Sequence, residues 1–171
     1  MGDESVWKTQ QFPLTFYKEG EADTCVFWDL NDYPIPIGVH PAWIYKRIKD
    51  AISDQGIVGD VSIHGYVDVS EREYWDAGFQ VEVFPQSEGG KHTRHCSMLV
   101  DMSIWALNHT KPSNVIILAQ VTDDLLDGHF RSYCSRIYGY LFSRQRRVPA
   151  RSDPTFLTCI FDQQREQEKE E

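Results

Sequence analysis

Apolar positions along the chain fall into two rhythms. Thr24-Cys25-Val26-Phe27-Trp28-Asp29-Leu30 is a near-continuous apolar, β-branched and aromatic run. Such a run predicts a strand buried on both faces, as in parallel sheets. The turn-forming residues from Asn31 to Gly38 end it. Pro41 suits the first turn of a helix. Ile44, Ile48, Ala51 and Ile52 then recur at i, i+4, i+7 and i+8, one apolar helical face that Gln55-Gly56 closes. A second strand over 61–68 completes a β-α-β unit, which implies parallel strands and a right-handed crossover.

Residues 70–91 are polar and glycine-containing, with a short strand expected at 80–84. From Thr93 to Asn108 the helical rhythm returns, with Met98, Met102 and Trp105 at i, i+4 and i+7. Residues 114–121 read as another fully buried strand. Thr122-Asp123-Asp124 looks like a helix start, followed by Leu126, Phe130, Tyr133 and Ile137 on one face. Residues 138–142 and 156–161 are further strand candidates. The chain therefore divides into an N-terminal arm over 1–22, one domain over 23–162 and a charged tail over 163–171. Strands alternating with helices, without internal repeats, predict an α/β fold: a three-layer α/β/α sandwich with a mostly parallel sheet.

Composition narrows the class. At 171 residues, 41% hydrophobic and 13% aromatic, the chain has enough apolar side chains for one globular core. No apolar run reaches the roughly 20 residues of a membrane span. The first residues lack the features of a signal peptide, so the expected compartment is intracellular, cytoplasmic or nuclear. Cys25, Cys96, Cys134 and Cys159 form no CxxC pair and read as small hydrophobes. A net charge of -9 argues against broad binding of nucleic acid through a basic surface. That charge is uneven: Arg144, Arg146 and Arg147 form one compact basic patch, and Lys46, Arg47 and Lys49 a second. A solvated surface is the simpler account of each patch, with phosphate contact as the alternative.

The acids carry the sharper signal. In a parallel sheet, ligands bind beyond the carboxyl ends of the strands, where strand order reverses. Asp29 and Asp32 follow the first strand, Asp68 the second, and Asp123 and Asp124 the strand ending at Val121. Asp101, three residues after Met98, is expected on the inward stripe of its helix. A carboxylate there is costly unless it is paired or bound to a cation. Converging aspartates suit Mg²⁺ or Mn²⁺, which can support phosphodiester cleavage. Structural readings compete at each position: Asp123 and Asp124 also suit a capped helix N-terminus, and Asp32 and Asp68 suit turns.

Val26-Phe27-Trp28-Asp29-Leu30-Asn31-Asp32-Tyr33-Pro34-Ile35-Pro36 resembles the opening motif FWDxENCPxP of NYN domains of the limkain type, the meiosis regulator and mRNA stability factor. Leu99-Val100-Asp101-Met102-Ser103-Ile104-Trp105-Ala106-Leu107 is similar to the LVDMxxWAL helix of that family. Asn114-Val115-Ile116-Ile117-Leu118 stands where the family has the strand leading into SGDxDF. The resemblance implies a PIN-like fold and a Mg²⁺- or Mn²⁺-dependent ribonuclease, with Asp29, Asp101 and Asp123 as catalytic metal ligands and Asp32 assisting. It also implies single-stranded RNA as partner, contacted by Arg144, Arg146 and Arg147, a role in regulating gene expression, and a peroxisomal association. The chain departs from the pattern at three places. Asn31-Asp32 replaces Glu-Asn, His95-Cys96 replaces an upstream Asp-Lys pair, and Val121 replaces the first acid of SGDxDF.

Two functions follow. One is a metal-dependent endoribonuclease acting in RNA turnover. The other is an interaction module, for RNA or protein, that kept the fold and lost the site. An aspartyl phosphotransferase would want an acid two residues after Asp29, where Asn31 stands. A glycosidase would want a spaced carboxylate pair, and none is evident.

Overall fold

The computed structural model describes residues 22–54, 56, 58–109, 113–134 and 139–143, with the backbone alone at 133–134 and 139–143. The expected arm over 1–22, apart from its last residue Ala22, which is buried in the core, the strand at 156–161, the tail, and Arg144, Arg146 and Arg147 lie outside these residues. Ten elements follow in order: β1 (Asp23–Asp29), α1 (Pro41–Asp54), β2 (Val61–Val67), α2 (Arg72–Asp76), β3 (Gln80–Val83), a 3-10 turn (Gln86–Glu88), α3 (Gly90–Asn108), β4 (Ser113–Leu118), α4 (Asp124–Cys134) and β5 (Gly139–Ser143). The five strands pair in the order β3-β2-β1-β4-β5, and every pairing is parallel.

β1 lies at the centre because nearly every side chain in it is apolar. Cys25, Val26, Phe27 and Trp28 are all fully buried. The period of two then sorts these side chains onto two faces. Val26, Trp28 and Leu30 join Ile63, Ile116 and Leu118 under the Ile44, Ile48 and Ile52 stripe of α1. Cys25 and Phe27 join Val115 and Ile117 under Met98 and Met102 of α3, with Leu126 and Phe130 of α4 completing that layer. The result is the three-layer α/β/α sandwich that the alternation of elements predicts.

The differences from the expected elements are local. α2 was not legible, because its five residues are too short for a helical rhythm. α3 starts at Gly90, three residues before the expected Thr93. Gly89 and Gly90 adopt positive φ angles of 101° and 52°, which L side chains rarely adopt, and this lets the chain turn directly into the helix. β4 ends at Leu118, so Val121 lies in the following loop with its side chain buried.

Gly65 in β2 is required by a close approach. A Cβ there would stand 2.8 Å from Leu30 Cδ1 and 3.7 Å from Phe79 Cδ2, both in the α1-side core. Gly65→Val should destabilise the fold by about 1–3 kcal/mol through overpacking, read as a lower urea midpoint with an unchanged denaturant slope.

Candidate functional site

Strand order reverses at β1: β2 and β3 follow it on one side, β4 and β5 on the other. The crevice between the carboxyl ends of β1 and β4 is therefore the place where this architecture offers a ligand site. Asp29, the last residue of β1, shares the face of Cys25 and Phe27 and is fully buried. Its Oδ1 accepts the backbone N–H groups of Asn31 at 3.0 Å and Asp32 at 3.1 Å, which folds the chain back over the strand end. Trp28 helps fix that turn by donating its indole N–H to the Tyr33 carbonyl at 2.9 Å.

The other carboxylate oxygen faces α3. Asp29 Oδ2 accepts Arg94 Nε at 3.0 Å and lies 3.0 Å from His95 Nε2. The turn carries Asp32 to the same imidazole, where its Oδ2 lies 2.9 Å from His95 Nε2. That oxygen also accepts the backbone N–H of Gln120, beyond β4, at 2.8 Å. Asp32 Oδ1 pairs with Lys91 Nζ at 3.3 Å. Asp32 thus ties the β1 turn, the β4 loop and the start of α3 into one unit.

Two carboxylates face two fixed cations and a histidine in a nearly dry setting. Burial alone would disfavour the imidazolium of His95, but the Asp29 and Asp32 carboxylates outweigh it and raise the pKa above its usual value. Burial would likewise raise Asp32; hydrogen bonds from His95 and the Gln120 N–H, with the charges of His95 and Lys91, turn the balance and lower it. Arg94 is 2% exposed, and its Nη1 has no partner among the described residues. Arg94→Ala would leave Asp29 as an uncompensated buried charge, so a loss of about 3–5 kcal/mol in urea unfolding is expected. Adding Asp29→Asn should recover most of it; two losses that simply add would show that the pair is uncoupled.

Asp29, Asp32 and His95 each offer one ligand atom, and the three atoms lie within 4.8 Å of one another. Among the described residues this is the one such group of three, and the other expected ligands are placed elsewhere. Asp101 is half-buried and accepts the Tyr66 hydroxyl on its Oδ2 at 2.7 Å. The inward stripe of α3 is Arg94, His95, Met98 and Met102. At 3.6 residues per turn Asp101 lies about 100° around the helix from Met102, on the flank of that stripe. Exposed Asp123 caps α4, its Oδ1 accepting the Leu126 N–H at 3.0 Å, and Asp124 lies in the first turn of that helix. The Asp68 N–H donates to Asn31 Oδ1 at 3.2 Å.

Sequence reasoning missed Arg94 and His95 as partners of Asp29, and Lys91 and His95 as partners of Asp32. One signal was present: Arg94, Met98 and Met102 continue a single i, i+4, i+8 stripe back beyond the expected helix start.

The family model of the NYN domain matches residues 23–143, a span that contains all five strands. The chain belongs to the NYN domain family. No curated protein matches it. Membership accounts for the PIN-like α/β fold and identifies a nuclease-type, RNA-related domain. No helix among the described residues is long and apolar enough to cross a membrane.

Beside this site, His64 stacks on Phe27 with ring centroids 5.2 Å apart. Burial lowers its pKa, and the Asp101 carboxylate offsets part of that shift. A histidine held neutral by the fold contributes its stability in full above its unfolded pKa of about 6.5. That contribution is lost as pH falls through 6.5 towards the folded value, because the unfolded chain then binds the proton more tightly. His64→Gln should therefore flatten the fall in urea midpoint between pH 7 and pH 5; an unchanged slope would exclude His64 as its source.

Proposed function

We propose that this NYN domain is an endoribonuclease whose divalent-cation centre is built on Asp29, Asp32 and His95. The carrying observation is the convergence of those three donor atoms at the strand-order switch. Two carboxylates and an imidazole suit Mn²⁺ better than Mg²⁺, which favours an all-oxygen shell. A divalent cation, when bound, supplies the Lewis acidity that phosphodiester hydrolysis needs.

The remaining work falls to the chain itself. Arg94 and the two backbone N–H groups fix the Asp29 carboxylate, and the Gln120 N–H fixes Asp32. Lys91, the most exposed of the three basic partners at 36%, is the one placed to meet an RNA phosphate at the mouth of the crevice. Single-stranded RNA suits a narrow crevice better than a duplex, and Arg144, Arg146 and Arg147 extend the reading as further phosphate contacts. RNA turnover, regulation of gene expression and an intracellular location follow as parts of the same reading.

A second reading has its own observation. Every oxygen of Asp29 and Asp32 already has a partner in the protein, and Arg94 and Lys91 balance both charges. A domain closed in this way binds RNA or protein without cutting.

Cleavage of a single-stranded RNA with millimolar Mn²⁺ separates the readings. Wild type should cut, and Asp29→Asn and Asp32→Asn should each cut at least about a hundredfold more slowly, beyond the usual cost of losing an outer-shell partner. Equal background from wild type and variants would overturn the nuclease and leave the binding module. Asp101→Asn and Asp123→Asn belong in the same series: a loss as large as that of Asp29→Asn would bring those acids into the working centre.

A further inference from the structure

The α3-side face of β2 and β3 is not apolar. Ser62 and His64 stand there on β2 and Gln80 and Glu82 on β3, polar positions outside the apolar cluster; Tyr66 is the β2 residue buried with Met98 and Met102 of α3. What remains is a groove of about 660 Å³ along the flank of α3. Asp29, Asp32 and His95 do not line it, so it is a second surface, independent of the acid pair.

Its charge is one-sided. Glu82 and Asp101 stand together at the end nearer Tyr66, and Asp23 and Asp60 line the other end. No lysine or arginine lines the groove. Burial and the adjacent Asp101 carboxylate raise the pKa of Glu82, outweighing the hydrogen bond from Ser97 that lowers it. The walls include Trp75, which is 51% exposed, and Trp105. Aromatic faces beside carboxylates favour a guanidinium or ammonium group.

Next to the groove, α3 carries an apolar stripe that no described residue covers. Val100, Ile104 and Leu107 recur at i, i+4 and i+7 and are 57%, 52% and 79% exposed. Ile104 also lines the groove, so the stripe and the acidic cavity form one continuous surface.

That combination selects the occupant. RNA phosphates would be repelled by four carboxylates, and a second copy of a chain of net charge -9 would bring the same acids. We propose that this surface docks a basic amphipathic segment of a partner protein. Its apolar residues would lie on Val100, Ile104 and Leu107 while an arginine enters the groove between Trp75 and the Glu82–Asp101 pair. Apolar anchors at helical spacing are the usual way such segments are held, and carboxylates lining the groove reject acidic competitors.

The test uses the full chain and a fluorescein-labelled synthetic peptide with leucine and arginine at helical spacing, read by anisotropy. The peptide should bind and weaken severalfold from roughly 50 to 300 mM salt, as screening requires. Its glutamate-for-arginine counterpart should not bind. Glu82→Gln with Asp101→Asn should weaken binding about tenfold. Ile104→Ser and Trp75→Ser, both at exposed positions, should weaken it severalfold while leaving the urea midpoint unchanged. No binding at millimolar peptide, or equal binding by all variants, would overturn the proposal. So would competition by a uridine oligonucleotide, which would make the groove an RNA surface. Peptide binding seen only after Arg144, Arg146 and Arg147 are changed to glutamine would also overturn it, since the chain's own basic segment would then be the occupant.

Discussion

The full burial of the Asp29 carboxylate is the constraint that organises this domain. Removing an ion from water costs several kcal/mol even after relaxation, so a buried carboxylate must collect partners from whatever lies near it. Asp29 collects them from both directions along the chain. The turn after β1 bends back to give it two N–H groups, and the first turns of α3 bring Arg94 and His95 from 65 residues away. The glycine pair before α3 belongs to the same solution. A helix that began three residues later would lose the turn carrying Lys91, the partner of Asp32.

The architecture was legible because its signals were local. The strand runs at Cys25–Trp28 and Val115–Leu118 and the Ile44, Ile48, Ile52 stripe each announce their element and their burial without reference to the rest. The site was legible only in part. Asp29 was identifiable from its place at a strand end, and the acid at 32 from its place in the turn. Which basic groups answer them was not, because Arg94 and His95 read by themselves as a polar helix start. Asp101 shows the limit of periodicity. Three residues from Met98 looks like the same stripe, yet the stripe follows the i+4 diagonal from Arg94 through Met98 to Met102, and Asp101 falls beside it. Its partner Tyr66 lies on another strand, a relation that no local pattern encodes.

The two faces of the sheet divide the chemistry. On the α1 side the apolar positions extend across β1, β2 and β4, and that layer is a core with Gly65 giving up its side chain to fit. On the α3 side they extend across β1 and β4, with Tyr66 alone from β2. Among the described residues, the polar positions of β2 and β3 on that face leave one flank of α3 uncovered, so a single helix borders both the acid pair at its start and the acidic groove further along. Changes that shift α3 against the sheet therefore bear on both surfaces at once.

The positions at which the chain differs from the motifs it resembles have distinct surroundings. Asn31 turns towards the end of β2, where its side-chain oxygen holds the Asp68 N–H, whereas Asp32 turns into the crevice and reaches Gln120 and His95. An acid at position 31 would therefore face a different neighbour from an acid at 32, and moving the carboxylate by one residue moves it onto the β1–β4 seam. Val121 has the opposite fate. Its side chain is 4% exposed in the same apolar cluster as Leu126 and Phe130, where a carboxylate would be desolvated unless something drew it out. The acids gather on the β1 side, with His95 between Asp29 and Asp32, while the loop after β4 turns an apolar side chain inward. The acid pair therefore faces α3, and Lys91, Arg94 and His95 of that helix set the charge it presents.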